Sequence, residues 1–342
     1  MISIRTSIGL VLICFAFFAP HVSAQQPRGT TYAFLVGCSG YNRSELKTLP
    51  YTINDVSGFA DSLLATGVAS ENIKLLHDKR TDNSGRFLPE KDKILKELKL
   101  LIASIDRQDT LIVALSGHGV HFVGDKIGYF CPRDARLSDR KSLLPMEGDG
   151  GLYTILKDCP ATRKLLLVNA CRNDPASDVA QAAKMVNLDD LDTDNVPEGI
   201  VALYSCRQGQ ESYYDPDRKL GIFFDHVNQA WLGKYQTTAE PLTLDMFFEQ
   251  VKSRTKADAD RLYEKPQIPI PKREFSGEWI VNRPSNAKSK NLISRTTGME
   301  LLLIPSGTFR VQFRRRGSAI ERLRMVGRLC RRWERETGTI CP

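Results

Sequence analysis

The sequence predicts an α/β fold in which a mostly parallel sheet is sandwiched between helices. Apolar, strand-like runs alternate with amphipathic helical segments along most of the chain, and this alternation is typical of a parallel sheet covered by helices. The run 165–168 is aliphatic throughout, as expected for a parallel strand buried on both faces. The chain has 342 residues, 42% of them hydrophobic, which is enough for a sizeable core.

The alternation begins with a strand at 31–38 and a helix at 54–67. Asn54 or Asp55 is the expected N-cap of this helix, and Gly67 is expected to end it. Further strands are expected, in chain order, at 71–78, 109–119, 126–135, 161–171, 198–206 and, as a proline-rich edge strand, within 264–281. Further helices are expected at 90–106, 150–159, 221–233 and 243–263.

The N-terminus has the three parts of a secretory signal. "MISIRTS" carries a positive charge, "IGLVLICFAFFA" is a short apolar run, and "HVSA" ends in a small-x-small pattern. This pattern predicts a signal peptide at residues 1–24, cut after Ala24. The apolar run is too short for a membrane span, and no later stretch reaches about 18 apolar residues. We therefore expect an exported protein, periplasmic or extracellular, without a membrane span.

A change in composition marks a domain boundary near residue 283. The segment 283–296 is rich in Asn, Ser and Lys and is predicted to be a linker, so the main domain should occupy 28–282. Beyond the linker, the stretch from Arg310 to Pro342 holds ten arginines and three glutamates, which is most of the net charge of +8. Because the rest of the chain is close to neutral and has no zinc-finger spacing, we expect no nucleic-acid partner.

The cysteines raise a separate question. Seven remain after the signal is removed, and their spacing contains no CxxC pair. An odd number leaves at least one unpaired within a monomer, and the spacing argues against a zinc site or a disulfide scaffold. Cys171 follows a buried strand directly. Its simplest interpretation is a small buried apolar residue.

The chemistry of neighbouring strand ends favours another interpretation. The run "LIVALSGHG" places His118 just past one strand, and "LLLVNAC" places Cys171 just past another. Since the carboxyl ends of parallel strands lie on one edge of the sheet, the two should meet there. A thiolate nucleophile needs a histidine that moves protons. Glycines on both sides of His118 let the backbone approach a substrate and could supply N–H donors to an oxyanion.

These motifs resemble those of the caspase and metacaspase cysteine peptidases. "SGHG" is followed 53 residues later by "NACRND", and "AFLVGCSGYNRSELKTLPYTINDV" and "IFFDHV" extend the similarity over roughly residues 30–282. The resemblance implies a caspase-like fold and a protein or peptide substrate. It also implies Cys171 as nucleophile, His118 as general acid or base, and Gly119 with the Cys171 amide near the oxyanion. His121 is a rival histidine, ranked lower because the family's histidine is followed directly by glycine.

The resemblance also implies a substrate pocket. Metacaspases hold a basic side chain between two aspartates. Asp55 matches the first position, uncharged Asn169 stands at the second, and Ser116 matches a position that lines the pocket. Cleavage after Arg or Lys is therefore expected. Two alternatives remain open: Asp55 is a helix cap, or Arg172 or Arg207 enters the pocket and selects acidic substrates.

Two further resemblances concern cofactors and the C-terminus. Metacaspases are often calcium-dependent, and the acidic "LDDLDTDN" at 188–195 offers oxygen ligands. It is not an EF-hand, because Val201 stands where a bidentate Glu is required, and a solvated loop is the alternative. No other cofactor or metal is expected. The segment 297–342 begins with "GMELLLIPSGTF", which resembles the first strand of formylglycine-generating, sulfatase-modifying domains, and is too short for more than a truncated fragment.

The sequence leaves two functions open. The first is a cysteine endopeptidase with a Cys-His dyad. The second is a non-catalytic caspase-like module that binds peptides or proteins through the same cleft. The presence of both His118 and Cys171 favours the enzyme, while the oligomeric state stays open.

Overall fold

A computed structural model describes the chain over defined ranges. These are residues 29–79, 85–122, 127–171, 196–207, 210–237, 240–273, 277, 279–282, 292–293 and 300–301. Of Cys171 and His121 it describes the backbone alone. The expected signal peptide (1–24), the acidic segment (188–195), and most of the expected linker and C-terminal fragment lie outside these ranges.

The described residues form fourteen strands and five α-helices. The strands are β1 (Thr31–Gly37), β2 (Ile73–His77), β3 (Thr110–His121), β4 (Gly128–Phe130), β5 (Leu144–Pro145), β6 (Arg163–Cys171), β7 (Ile200–Tyr204), β8 (Tyr214–Asp215), β9 (Leu220–Gly221), β10 (Leu242–Thr243), β11 (Ile270–Arg273), β12 (Ile280–Asn282), β13 (Leu292–Ile293) and β14 (Glu300–Leu301). The helices are α1 (Thr52–Ala65), α2 (Lys91–Ile102), α3 (Leu152–Lys157), α4 (Ile222–Trp231) and α5 (Leu244–Tyr263). Short 3-10 turns span Ser70–Asn72 and Arg140–Ser142.

The central sheet has the order β11-β7-β6-β3-β1-β2. The five strands from β7 to β2 are parallel, and β11 runs antiparallel on the β7 edge. Strand β4 extends the sheet by pairing antiparallel with the last residues of β3, and β5 pairs with β4. The predicted mostly parallel sheet and its proline-containing edge strand are confirmed. None of the helices in the described ranges is long and apolar enough to cross a bilayer.

The sheet has an apolar layer on each face. Along β1, Ala33 and Leu35 belong to the core shared with α1, α4 and α5, whereas Phe34 and Val36 belong to the core shared with α2 and α3. All four are fully buried. This alternation follows from the two-residue period of a strand. The sandwich of helices around the sheet is therefore confirmed.

Two predicted element ends are wrong in ways that matter for the site. Helix α1 begins at Thr52, so Asp55 lies within its first turn and does not cap it; the residue at the cap position, Tyr51, makes no side-chain capping bond. Strand β3 continues to His121 because β4 pairs with Gly119–His121. The expected helix end is confirmed, since Gly67 has a φ of +94° and follows directly after the C-cap residue of α1.

Candidate active site

The strands that carry His118 and Cys171 are adjacent in the sheet. In the parallel pairing of β3 with β6, His118 stands directly opposite Cys171, across a strand spacing of about 4.8 Å. Both residues lie within their strands; the expectation that they follow the strand ends is wrong by a few residues for His118, because β4 prolongs β3. His121 stands opposite Gly128 of β4 instead. The backbone register therefore brings the predicted nucleophile and His118 together.

The imidazole of His118 is completely buried and has a fixed orientation. Its Nε2 lies 2.8 Å from the backbone carbonyl oxygen of Lys47. A carbonyl only accepts hydrogen bonds, so Nε2 carries a proton and Nδ1 is the basic nitrogen of the neutral ring. The hydroxyl of Tyr41 accepts the His118 backbone N–H at 2.8 Å, and the two ring centroids lie 5.0 Å apart.

The Lys47 carbonyl is held in place by a closed loop. Leu49 N–H donates to the Ser39 carbonyl at 2.9 Å, and the Ser39 hydroxyl donates to the Leu49 carbonyl at 2.7 Å. The Asp78 carboxylate accepts the backbone N–H groups of Ser39 and Gly40 at 2.7 and 2.9 Å. This loop therefore acts as a fixed third partner of the histidine. A backbone carbonyl carries no residue signature, which is why the sequence did not reveal it.

Asp55 lies at the centre of a buried hydrogen-bond cluster. Its Oδ2 accepts from the Ser116 hydroxyl at 2.8 Å and from the Asn169 amide at 3.1 Å, and its Oδ1 accepts the Gly221 N–H at 2.7 Å. The three predicted substrate-binding residues thus come together from α1, β3 and β6. The alternative that Asp55 caps the helix is wrong, since its carboxylate points to this cluster.

Burial and hydrogen bonding act on the Asp55 carboxyl in opposite directions. Burial is the larger influence and raises the pKa of Asp55 to about 6, while the bonds from Gly221, Ser116 and Asn169 lower it. Because this pKa lies below 7, the carboxyl is charged at neutral pH and can attract a further cation. The three donors use most of the roughly four acceptor positions of a carboxylate.

Asn169 links Asp55 to a second layer of polar groups. While its Nδ2 donates to Asp55, its Oδ1 accepts from the Ser212 hydroxyl at 2.5 Å. Gln267 Nε2 donates in turn to the Ser212 hydroxyl oxygen at 3.1 Å, and Gln267 Oε1 accepts the Tyr213 N–H at 2.9 Å. A neutral amide satisfies both neighbours, since it offers a donor to the carboxylate and an acceptor to the hydroxyl.

The cluster opens into a cavity of about 140 Å³. This volume is well below the roughly 300–1,000 Å³ of pockets for drug-sized ligands, and suits a single side chain. Asp55, Asn169 and Gly221 form part of its lining, together with Tyr51, Thr52, Tyr213, Tyr214 and the segment 47–50. Tyr51 and Tyr214 meet edge to face with their ring centroids 5.1 Å apart. The lining thus combines a carboxylate with aromatic rings.

Gly221 is essential to this arrangement and was missed in the sequence. A Cβ placed there would lie 2.9 Å from Asn169 Nδ2 and 3.0 Å from Asp55 Oδ2. Glycine therefore allows the backbone N–H to reach the carboxylate. The available signal in the sequence was a glycine directly before a helix and after a turn that contains two tyrosines, which could have marked a close approach of the backbone to the pocket. Ser212 and Gln267 had no recognisable pattern, because their contact depends on tertiary structure.

The remaining predicted residues have the following positions. Gly119 stands opposite Phe130 in the β3–β4 pair. A Cβ at Gly117 would lie 3.0 Å from the Phe130 ring and 3.1 Å from the Tyr41 hydroxyl, so this glycine makes room for protein side chains rather than for substrate. Arg207 does not line the cavity, and Arg172 lies outside the described residues.

One group of potential metal ligands occurs in the part of the chain that the structure describes. Asp225, His226 and Asp258 place their ligand atoms within 4.8 Å of one another. The guanidinium of Arg218 bonds both carboxylates, so an arginine supplies the cation at this cluster. The acidic segment 188–195, where calcium was considered, lies outside the described residues.

His118 and Cys171 stand opposite each other on adjacent strands, and the nearby cavity is lined by the Asp55 carboxylate. This arrangement defines a candidate cysteine-hydrolase site on an α/β sheet. The sequence model of the caspase domain matches residues 30–276, well over half of the chain. The chain therefore belongs to the caspase domain family. No curated protein sequence was found to match this chain.

Solved structures show the same fold. Caspase-1 of Spodoptera frugiperda is similar with a TM-score of 0.51 and 14% identity, over 76% of this chain and 92% of that chain. A protein of Geobacter sulfurreducens is similar with a TM-score of 0.51 and 15% identity, over 74% and 97%. At these identities the likeness concerns the fold.

Proposed function

We propose that this protein is a cysteine endopeptidase in which Cys171 is the nucleophile and His118 is the general acid and base. The observation that carries the proposal is the register of β3 and β6, which sets His118 opposite Cys171. Support comes from the fixed His118 ring, whose Nε2–H donates to the Lys47 carbonyl. Membership of a peptidase family adds a protein substrate to this chemistry.

The proposed reaction follows from this arrangement. His118 Nδ1 takes the thiol proton, and the Cys171 sulfur attacks the substrate carbonyl carbon. The Gly119 and Cys171 amides stabilise the oxyanion that forms. His118 then donates the proton to the leaving amine as the C–N bond breaks. Water, deprotonated by the same imidazole, hydrolyses the thioester and regenerates the thiol.

We further propose that the residue before the cleaved bond is Arg or Lys. The Asp55 carboxylate in the cavity favours a cation, and the aromatic side chains of Tyr51, Tyr213 and Tyr214 that line the same cavity suit the apolar stem of a long basic side chain. A single charge-assisted contact contributes about 1.5–3 kcal/mol. The Asn169 amide carries no charge and is bonded to Asp55 and Ser212, so it adds no charge attraction for the substrate. Arg, with five donors in a planar fork, should be preferred over Lys.

The cellular setting is proposed from the sequence. We propose that residues 1–24 are a signal peptide and that the enzyme works outside the cytoplasm, in the periplasm or beyond. Residues 28–282 would form the peptidase domain, followed by a linker and a truncated fragment. Calcium dependence stays a prediction for the segment 188–195.

A peptidyl-arginine chloromethyl ketone tests the dyad. The expected result is one adduct, on Cys171, with the wild-type protein, none with Cys171→Ala, and labelling slowed by orders of magnitude in His118→Ala. His121→Ala is the matched control and should retain most of the rate. Absence of an adduct on wild-type Cys171 would contradict the enzyme proposal, and a larger effect at His121 would show that the histidine assignment is wrong.

A further inference from the structure

A charged cluster joins the β8–β9 hairpin to helices α4 and α5. Arg218 sits in the turn between β8 and β9, and its guanidinium reaches three carboxylates. Its Nε lies 3.5 Å from Asp215 on β8, and its Nη1 bonds Asp225 on α4 and lies 3.4 Å from Asp258 on α5. One arginine therefore connects the hairpin to two helices.

The hairpin turn is itself organised around Asp215. The Asp215 Oδ1 accepts the backbone N–H groups of Asp217 and Arg218 at 2.9 and 3.1 Å. Lys219 has a φ of +57° and donates its N–H to the Asp215 carbonyl at 2.8 Å. The turn therefore aims the Arg218 side chain towards the helices through local bonds.

The same hairpin carries groups of the cavity. Tyr214 on β8 and Gly221 on β9 both line it, and the Gly221 N–H is the donor to Asp55 Oδ1 at 2.7 Å. Of the hydrogen bonds to Asp55, the one from Gly221 lowers the pKa of that carboxyl most. A displacement of the hairpin would therefore change both the shape and the charge of the cavity.

We propose that Arg218 is a positioning residue for the substrate cavity: by tying Asp215 to Asp225 and Asp258, it holds the β8–β9 hairpin where the Gly221 N–H meets Asp55. Arg218 is not among the residues that line the cavity, and it acts through the hairpin. This inference rests on the proposed function, since it concerns how the cavity selects its substrate.

The chemistry of the cluster suits an arginine. Asp215 and Asp225 are both 6% exposed, and two nearly buried carboxylates so close together repel each other unless a cation lies between them. A planar guanidinium bonds several carboxylates at once, whereas an ammonium acts as a point charge. Lysine at this position should therefore keep the charge and lose part of the geometry.

Arg218→Gln and Arg261→Gln form a matched pair of variants. Arg261 also bonds Asp258, at 2.9 Å, yet it lies on the same helix, three residues further along, and is 57% exposed. Both variants thus lose a cation at Asp258, but only one loses a tie to the hairpin. Arg218→Lys tests whether the charge alone restores function.

Three readouts separate positioning from general stability. For Arg218→Gln we expect KM for a peptide with arginine before the cleaved bond to rise about tenfold, with kcat changed much less. The acid limb of the pH profile of kcat/KM should move to higher pH, because two changes raise the pKa of Asp55. Asp55 loses the hydrogen bond from Gly221, and the nearby Asp225 loses its neutralising partner. Alkylation of Cys171 by iodoacetamide, which does not need the cavity, should keep its rate. The KM and the acid limb of Arg218→Lys should lie between those of the wild type and of Arg218→Gln, and those of Arg261→Gln should match the wild type.

The outcomes distinguish this inference from the proposed function. An unchanged KM and acid limb in Arg218→Gln, with the wild type active, would overturn the role of Arg218 and leave the peptidase intact. If the wild type fails to cleave, the proposed function fails. The role of Arg218 is then tested by carbon NMR titration, which measures the pKa of the Asp55 carboxyl in each variant. Arg218→Lys keeps a positive charge beside Asp225 but loses part of the geometry, so a higher Asp55 pKa in Arg218→Lys than in the wild type supports the tie, and equal values contradict it.

Discussion

Asn169 donates its side-chain amide to the Asp55 carboxylate at 3.1 Å, although the two residues are 114 positions apart in the sequence. Asn169 lies on β6, two residues before Cys171, and Asp55 lies on α1. This bond connects the strand of the proposed nucleophile directly to the cavity. A substrate side chain that reaches Asp55 is therefore held by the same framework that positions the reacting bond.

The ionisation of Asp55 predicts a pH dependence of specificity. Burial raises its pKa to about 6, so the carboxyl is charged at neutral pH and protonated below that value. A protonated carboxyl does not attract a guanidinium by charge. We expect the ratio of kcat/KM for arginine over norleucine before the cleaved bond to fall below pH 6, by up to about tenfold per unit. The ratio cancels any effect of pH that the two substrates share, and a flat ratio from pH 5 to 8 would contradict the role of Asp55.

Asn169→Asp should sharpen the preference for basic side chains, but in alkaline solution. The substitution places a second carboxylate at hydrogen-bond distance from Asp55, and two such groups share a proton. The pKa of the pair should therefore rise above that of Asp55 alone, and the added selectivity should appear as the second proton leaves. Kinetic profiles of both substrates between pH 6 and 9 measure this. Asn169→Ala, which adds no charge, is the control and should show no gain at any pH.

Gly221→Ala should damage the cavity while sparing the dyad. The new Cβ would press on Asn169 and Asp55 at 2.9 and 3.0 Å, which forces the hairpin away from the carboxylate. We expect a rise of at least about tenfold in KM for arginine substrates, as for loss of a charge-assisted hydrogen bond. Gly67→Ala strains the backbone at a φ of +94° where no atom lies within 4 Å, so it should lower stability and leave KM unchanged. Equal effects of the two variants would argue against a specific role.

Several features of the site followed from the sequence. The strand patterns placed His118 and Cys171 on neighbouring strands, and the family resemblance brought Asp55, Ser116 and Asn169 to one pocket. The pairing of β3 with β6 agrees with the first expectation, and the hydrogen bonds of Asp55 bring the three pocket residues together. A continuous apolar run is a local signal. It was sufficient to locate these strands because parallel strands buried on both faces are almost uniformly apolar.

Other features depend on contacts that local patterns do not contain. The start of α1 was misplaced because Asn54 and Asp55 are common capping residues, whereas tertiary bonds decide where the Asp55 carboxylate points. The Lys47 carbonyl and the Gly221 N–H are backbone groups, which every residue has. Arg218 gave no signal either, since its three carboxylate partners come from separate elements.

Removal of the chain after residue 282 should leave a folded and active domain. The family match ends at residue 276, and β12, which pairs with β10, ends at Asn282. Few contacts are expected across a polar linker. We expect the melting temperature of the truncated protein to stay within about 4 °C of the full chain, the shift produced by roughly 1 kcal/mol in a domain of this size. Unfolding on truncation would show that the C-terminal segment completes the core.

The most direct test of the account is a positional-scanning peptide library that varies the residue before the cleaved bond, read with the wild type and with Asp55→Asn. The account predicts dominant cleavage after Arg, weaker cleavage after Lys, and a loss of one to two decades of that preference in Asp55→Asn, in line with about 1.5–3 kcal/mol for a charge-assisted contact. Dominant cleavage after Asp by the wild type would contradict the assignment of Asp55 as the group that selects the substrate.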